Sequence, residues 1–199
     1  MILVDKNKSC LPKVPVFKIN PRSWHFWRDS FLYFWVFSLI GHLIEYPWFA
    51  VLDLVGAGHP PMPPFFIIAA PYGLGILGIL WFVVPMMKKF KLGLIPTYLW
   101  SVFVTTAIEF VAAVVLIVVH GHNPYWDYSS QPANLFGCVL LSNSLMFGLL
   151  VVAFLYYIFP RTDRLLKKIK DKPLNVAAIC LMVAYVVVQV YNFISFINY

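Results

Sequence analysis

Two acids stand where a charge is costly. Glu45 and Glu109 lie deep inside apolar runs, with His42 three residues before Glu45 and Thr105 and Thr106 one turn before Glu109. A central ionised acid costs ~3 kcal/mol or more in lipid, so each must face a neighbouring helix or a wet cavity, or carry a proton. Carboxylates held this way can bind a polar solute, or act as acid or base on a substrate. His42 and Glu45, three apart, share a helix face. Other apolar runs carry Tyr72, Asn143, Gln189 and Asn192 at comparable depth. His42, Glu45, Tyr72, Glu109, Asn143, Gln189 and Asn192 are therefore the candidate lining of one polar pocket. Against this stands a plainer use, since single Ser, Thr, Asn and Gln residues in membrane helices commonly hold helices together.

The elements that must position these residues are membrane spans. Of 199 residues, 61% are hydrophobic and 12% charged, against about 25% charged in a soluble domain. A span needs roughly 20 apolar residues. Five runs qualify, at about 31–55, 65–87, 92–120, 135–159 and 174–197. The expected fold is all-α, a polytopic bundle of about five transmembrane helices embedded in the lipid bilayer. Residues 1–29 read as a basic cytoplasmic segment and 30–199 as a single transmembrane domain.

Charge sets the expected orientation. All 15 Lys and Arg fall before the first run, between the second and third, or between the fourth and fifth. With five spans these segments share one face, which the positive-inside rule makes cytoplasmic. The expected location is thus a cell membrane, with the N-terminus inside and the C-terminus outside. Trp24, Trp27, Trp48 and Trp126 read as interfacial anchors. The stretch 161–173 has the pattern of a short amphipathic helix on the inner surface. At an estimated 1.5 Å per residue, Glu45 and Glu109 lie ~15 Å from the outer ends of their spans, so the expected pocket opens in the outer half.

Several chemistries are excluded. The net charge of +7 sits in short blocks beside apolar runs, with no basic domain to hold nucleic acid. His120, His122 and Asp127 match no zinc spacing, so no metal site is assigned. Phosphate-loop, Gly-x-Ser-x-Gly and His-Glu-x-x-His motifs are missing, so no cofactor and no conventional catalytic site are assigned. Cys10, Cys138 and Cys180 show no paired spacing.

The chain resembles a known family through Trp126-Asp127-Tyr128-Ser129, followed by Pro132, Asn134, Gly137, Ser144 and Gly148. Gly41-x-x-x-Glu45, Pro71-Tyr72-Gly73-x-Gly75 and Glu109 add to the likeness. These residues are similar to the CmpB-like family of bacterial ABC-transporter permeases, over residues 30–160. The resemblance implies a transport subunit that works with a separate cytoplasmic ATPase or a second membrane subunit, or as a homo-oligomer. Two other readings stay open: a polytopic enzyme using Glu45 with His42, or Glu109, on a lipid-like substrate, and a membrane scaffold or sensor whose basic loops bind anionic lipid.

Overall fold

A computed structural model describes the backbone of residues 12–56 and 70–197, and their side chains except those of 70, 71, 189 and 192–197. Of the described residues, 76% are helical. Among the described residues, five helices are long and apolar enough to cross a membrane. The first is α1 (Trp24–Leu54). The second runs through α2 (Ala70–Gly78), a π-helical turn Ile79–Val83 and α3 (Val84–Lys89). The third is α4 (Leu94–His120), stopped by Gly121 at φ +77°. A two-stranded antiparallel hairpin, β1 (Asn134–Leu135) with β2 (Val139–Leu140), precedes the fourth. That helix is α5 (Leu141–Ala153), a π-helical turn Phe154–Ile158 and α6 (Phe159–Lys168). The fifth is α7 (Asp171–Ile197).

Three boundaries differ from the sequence reading. α1 begins at Trp24, ahead of the apolar run, because a backbone turn at Asn20–Ser23 starts it. The fourth helix starts at Leu141 because residues 134–140 form the hairpin instead. It continues without a break into the amphipathic stretch, so α6 extends a span and is not a separate surface helix.

The π turns have a local cause. Each ends just before a proline, Pro85 or Pro160. Proline lacks the N–H that would close the next α-helical bond and its ring crowds the carbonyl one turn back. Widening the preceding turn to π geometry relieves both.

This shared feature exposes an internal repeat. Shifted by 75 positions, Gly73, Leu74, Leu80 and Pro85 fall on Gly148, Leu149, Leu155 and Pro160, and the two π turns coincide. Burial repeats as well. Leu80 and Leu155 are both 0% exposed, while Phe82 and Tyr157 are 57% and 51% exposed. The helices packed against them repeat with an offset of 64. A Cβ on Gly73 would meet Phe34 and Ser38, and one on Gly148 would meet Tyr98 and Val102. The same offset carries Glu45 onto Glu109. The protein is thus two helical hairpins of the same direction, α1 with α2–α3 and α4 with α5–α6. α2 packs on α4, and Phe37 and Tyr33 of α1 pack on Phe154 and Phe159.

The core lies toward the ends of the helices that carry the Lys and Arg, called here the basic end. Ile79, Leu80, Val83, Phe154, Leu155 and Phe159 from the two π regions meet there with Tyr33 and Phe37. Val14 and Phe17 of the N-terminal segment cover it, and Lys88 donates to the Val14 carbonyl.

α7 stands outside the repeat and packs chiefly on α1. Its anchor is Arg28, which is only 5% exposed. The guanidinium donates to Asp29 at 2.7 Å, Asp171 at 2.7 Å and Asn175 at 3.0 Å. Trp24 Nε1 also donates to Asn175, at 3.1 Å. Arg28→Ala should lower stability by roughly 1–2 kcal/mol, because its carboxylate partners are partly solvated. Thermal unfolding in detergent reads this, and an unchanged midpoint would mean that α7 is held otherwise.

Candidate functional site: two carboxylate clusters

The first cluster sits between α1 and α2, toward the end opposite the basic residues. Glu45 Oε1 accepts a hydrogen bond from the Tyr72 hydroxyl at 3.0 Å. Its other oxygen lies 3.8 Å from His42 Nδ1. His42 is 0% exposed, and its Nε2 is 3.5 Å from the Tyr46 hydroxyl, with the two rings nearly perpendicular. Glycines make this geometry possible. A Cβ on Gly41 would lie 2.2 Å from Tyr72 Cγ, and one on Gly73 would lie 2.2 Å from Ser38 Oγ. The helices therefore approach closely enough for Tyr72 to reach Glu45. Gly41 and Gly73 are packing residues that bring the acid and its donor together.

The second cluster sits where α4, α5 and the 121–140 segment meet. That segment is a folded cap. Trp126 Nε1 donates to the Cys138 carbonyl at 2.8 Å, and the Tyr128 amide to the Gly137 carbonyl at 2.9 Å. Asp127 Oδ1 accepts from the Ser129 amide at 2.9 Å. Asn134 ties the turn by donating to Gln131 O at 2.7 Å and accepting from the Gly137 amide at 2.8 Å. Trp126, Cys138 and Val139 pack on Ala113 and Phe110 of α4. Ala113 is four residues after Glu109, so Glu109 lies on the same face, one turn below the cap. Tyr128 points back into the bundle, where its hydroxyl accepts from Asn143 Nδ2 at 2.9 Å.

Electrostatics follow this arrangement. The Ser129 amide, and then its hydroxyl, hold Asp127 below its ordinary range. Asp127 therefore supports the cap at neutral pH, and that support is lost as pH falls through its lowered value. Burial, and then the nearby charge of Glu109, push the Tyr128 hydroxyl upward.

Gly137 is the cap's conformational pivot. Its φ is +69°, and a Cβ there would lie 3.1 Å from Asp127 Oδ1. Gly137→Ala should cost about 1–2 kcal/mol, from the left-handed backbone alone. A falling thermal midpoint with a red-shifted Trp126 emission would be the signature, and a wild-type midpoint would argue against this role.

The structure therefore gathers the sequence-predicted residues into two groups. His42, Glu45 and Tyr72 come together. Asn143 joins Tyr128, and both lie at the cap junction with Glu109. The backbone of Gln189 and Asn192 belongs to α7, but their side chains, like that of Pro71, lie outside the described residues. Trp126, Asp127, Ser129, Asn134 and Gly137 build the cap. Tyr46 and Arg28 were not singled out by the sequence, although Tyr46 stands four residues after His42 and thus on its face. One apolar recess of about 190 Å³, lined by Leu94, Ile95, Tyr98, Leu149 and Val152, lies between α4 and α5 near the basic end and away from both acids. Among the described residues, no three His, Cys, Asp or Glu side chains are grouped as metal ligands.

Comparison with known proteins gives one family. Its model, described as "Putative ABC-transporter type IV", matches residues 32–193. Neither the curated proteins nor the solved structures gave a match. The matched range takes in both hairpins, the cap, both acids and nearly all of α7, so the chain belongs to this ABC-transporter-related family of multi-pass membrane proteins.

Proposed function

We propose that the chain is a permease-like membrane subunit that handles a polar solute through the two carboxylate clusters. The observation that carries this reading is the placement of Glu45 and Glu109. They occupy equivalent positions of an internal repeat, deep in the bundle, at the end away from every Lys and Arg. Repeated hairpins with polar groups at matching depth are a recurrent transporter design. By the positive-inside rule the basic end is cytoplasmic, so the acids lie in the outer half of the bilayer. The N-terminus is then inside and the C-terminus outside.

The energy source lies in a partner. Lys88, Lys89, Arg161, Arg164, Lys167 and Lys168 form a cationic rim at the basic end, where a separate ATPase docks against α3 and α6. Lys167 is tied to Asp163 at 2.6 Å, so part of this rim is already ordered.

Isolation from native membranes tests the proposal. The preparation should contain a subunit that hydrolyses ATP, and deletion should abolish uptake of one class of polar solute. A preparation without ATPase activity, together with an unaltered uptake profile after deletion, would contradict it.

A further inference from the structure

The repeat supplies an internal comparison. At Glu45 the protein provides its own hydrogen donor, the Tyr72 hydroxyl at 3.0 Å, with the His42 ring 3.8 Å from the other oxygen, close but beyond hydrogen-bond distance. The equivalent positions in the second hairpin are Phe147 for Tyr72 and Thr106 for His42. Phenylalanine cannot donate, and threonine is neutral and short. Oε2 of each acid is buried with no hydrogen-bond partner among the described residues, but only Glu45 has a tyrosine hydroxyl on its other oxygen.

A permanent counter-charge cannot replace those groups. No Lys or Arg occurs between Lys91 and Arg161. Glu109 is fifteen residues into α4, about 22 Å from its start at the basic end. His42, the imidazole of the neighbouring hairpin, is beside Glu45. A buried carboxylate left uncompensated is strongly unfavourable.

The cap junction beside Glu109 is rich in acceptors and aromatic faces. Asn143 commits its Nδ2 to Tyr128, leaving Oδ1 as an acceptor. The Tyr128 oxygen keeps a lone pair. Phe110 and Trp126 both pack against Ala113, Cys138 and Val139, and Phe136 lies 6.3 Å from Phe110 between ring centroids. Such a lining rejects anions and suits a positive nitrogen, through its N–H groups and through cation–π attraction.

We propose that Glu109, the Tyr128 oxygen and Asn143 Oδ1 form a binding site for a small protonated amine beneath the cap. The amine supplies at Glu109 the hydrogen bond that Tyr72 gives to Glu45 and the basic nitrogen that His42 places beside it. This names the solute class of the subunit described above and rests on that reading.

Binding of ethylammonium to the purified full-length protein, by calorimetry and thermal shift, tests it. Tetramethylammonium, which has no N–H, and sodium chloride at equal ionic strength serve as comparisons. The expected result is saturable binding of ethylammonium, about tenfold or more weaker in Glu109→Gln and several-fold weaker in Tyr128→Phe. Cys180→Ala, at an exposed α7 position, should bind as wild type. Wild-type affinity in Glu109→Gln, or an equal response to sodium or to acidification alone, would overturn the site. Should Glu109→Gln not fold, undiminished binding in both Tyr128→Phe and Asn143→Leu would overturn it equally. If ethylammonium fails to bind while Glu109→Gln still abolishes uptake, the amine assignment falls and the permease reading stands. Amine binding by an assembly that transports nothing gives the reverse.

Discussion

Gly73→Ala should lower stability by about 2 kcal/mol, whereas Gly75→Ala, two residues later, should leave it unchanged or raise it by about 0.5–1 kcal/mol. The intrinsic gain in helix propensity is the same at both positions. Their surroundings differ. A methyl group on Gly73 would sit 2.2 Å from Ser38 Oγ and 2.6 Å from the Phe34 carbonyl oxygen, whereas nothing lies within 4 Å of one on Gly75. The Phe34 carbonyl is helix backbone and cannot swing aside, so α1 and α2 must separate. That separation would carry Tyr72 away from Glu45, and activity should fall with stability. Reversible unfolding in mixed micelles reads the difference, and equal effects at the two glycines would refute the close α1–α2 contact.

Glu45→Gln should reduce solute uptake about tenfold or more, the loss expected when a charge-assisted contact worth ~1.4 kcal/mol is removed. Stability should change by less than about 1 kcal/mol, because glutamine keeps an oxygen for the Tyr72 hydroxyl. Tyr72→Phe should do the opposite: it removes one hydrogen bond to a charged group, costing roughly 1.5 kcal/mol, and leaves the carboxylate in place. A double-mutant cycle on stability should show coupling between the two positions, since they are in direct contact. If Glu45→Gln lost stability but not uptake, the cluster would be structural glue and the solute would pass elsewhere.

The spans, the one-sided basic charge and the family likeness could be read in the sequence because each is a property of composition or of a contiguous motif. Twenty apolar residues announce a helix wherever they pack. The division of the polar residues into two clusters could not be read. Depth in the membrane follows from counting, but azimuth follows from packing, and Gly41 and Gly73 turn Tyr72 toward Glu45 by letting two backbones meet. The signature Trp126-Asp127-Tyr128-Ser129 identifies the family without revealing its use, since most of its hydrogen bonds hold the cap's own backbone. Tyr128 alone among the four turns its side chain to Asn143.

The repeat was within reach. Two prolines followed by basic residues, each preceded by a leucine five positions earlier and a glycine twelve earlier, are present in the sequence. The matching stretches are short, and apolar spans resemble one another by composition. Only the coincident π turns and the common offset of the glycine contacts and the acids separate a repeat from chance. Arg28 escaped for another reason. It belongs by count to the basic flank, but the α1 helix starts early and buries it against Asp171 and Asn175.

An outer solute site requires the two acids to lie nearer the outside, with the cap exposed there and the cationic rim within. In intact cells carrying a cysteine-free background, Ser130→Cys on the cap should react with a membrane-impermeant maleimide, and Lys170→Cys between α6 and α7 should react only after the cells are opened. The reverse pattern, with position 170 labelled from outside and position 130 protected, would contradict the orientation and with it the outer solute site.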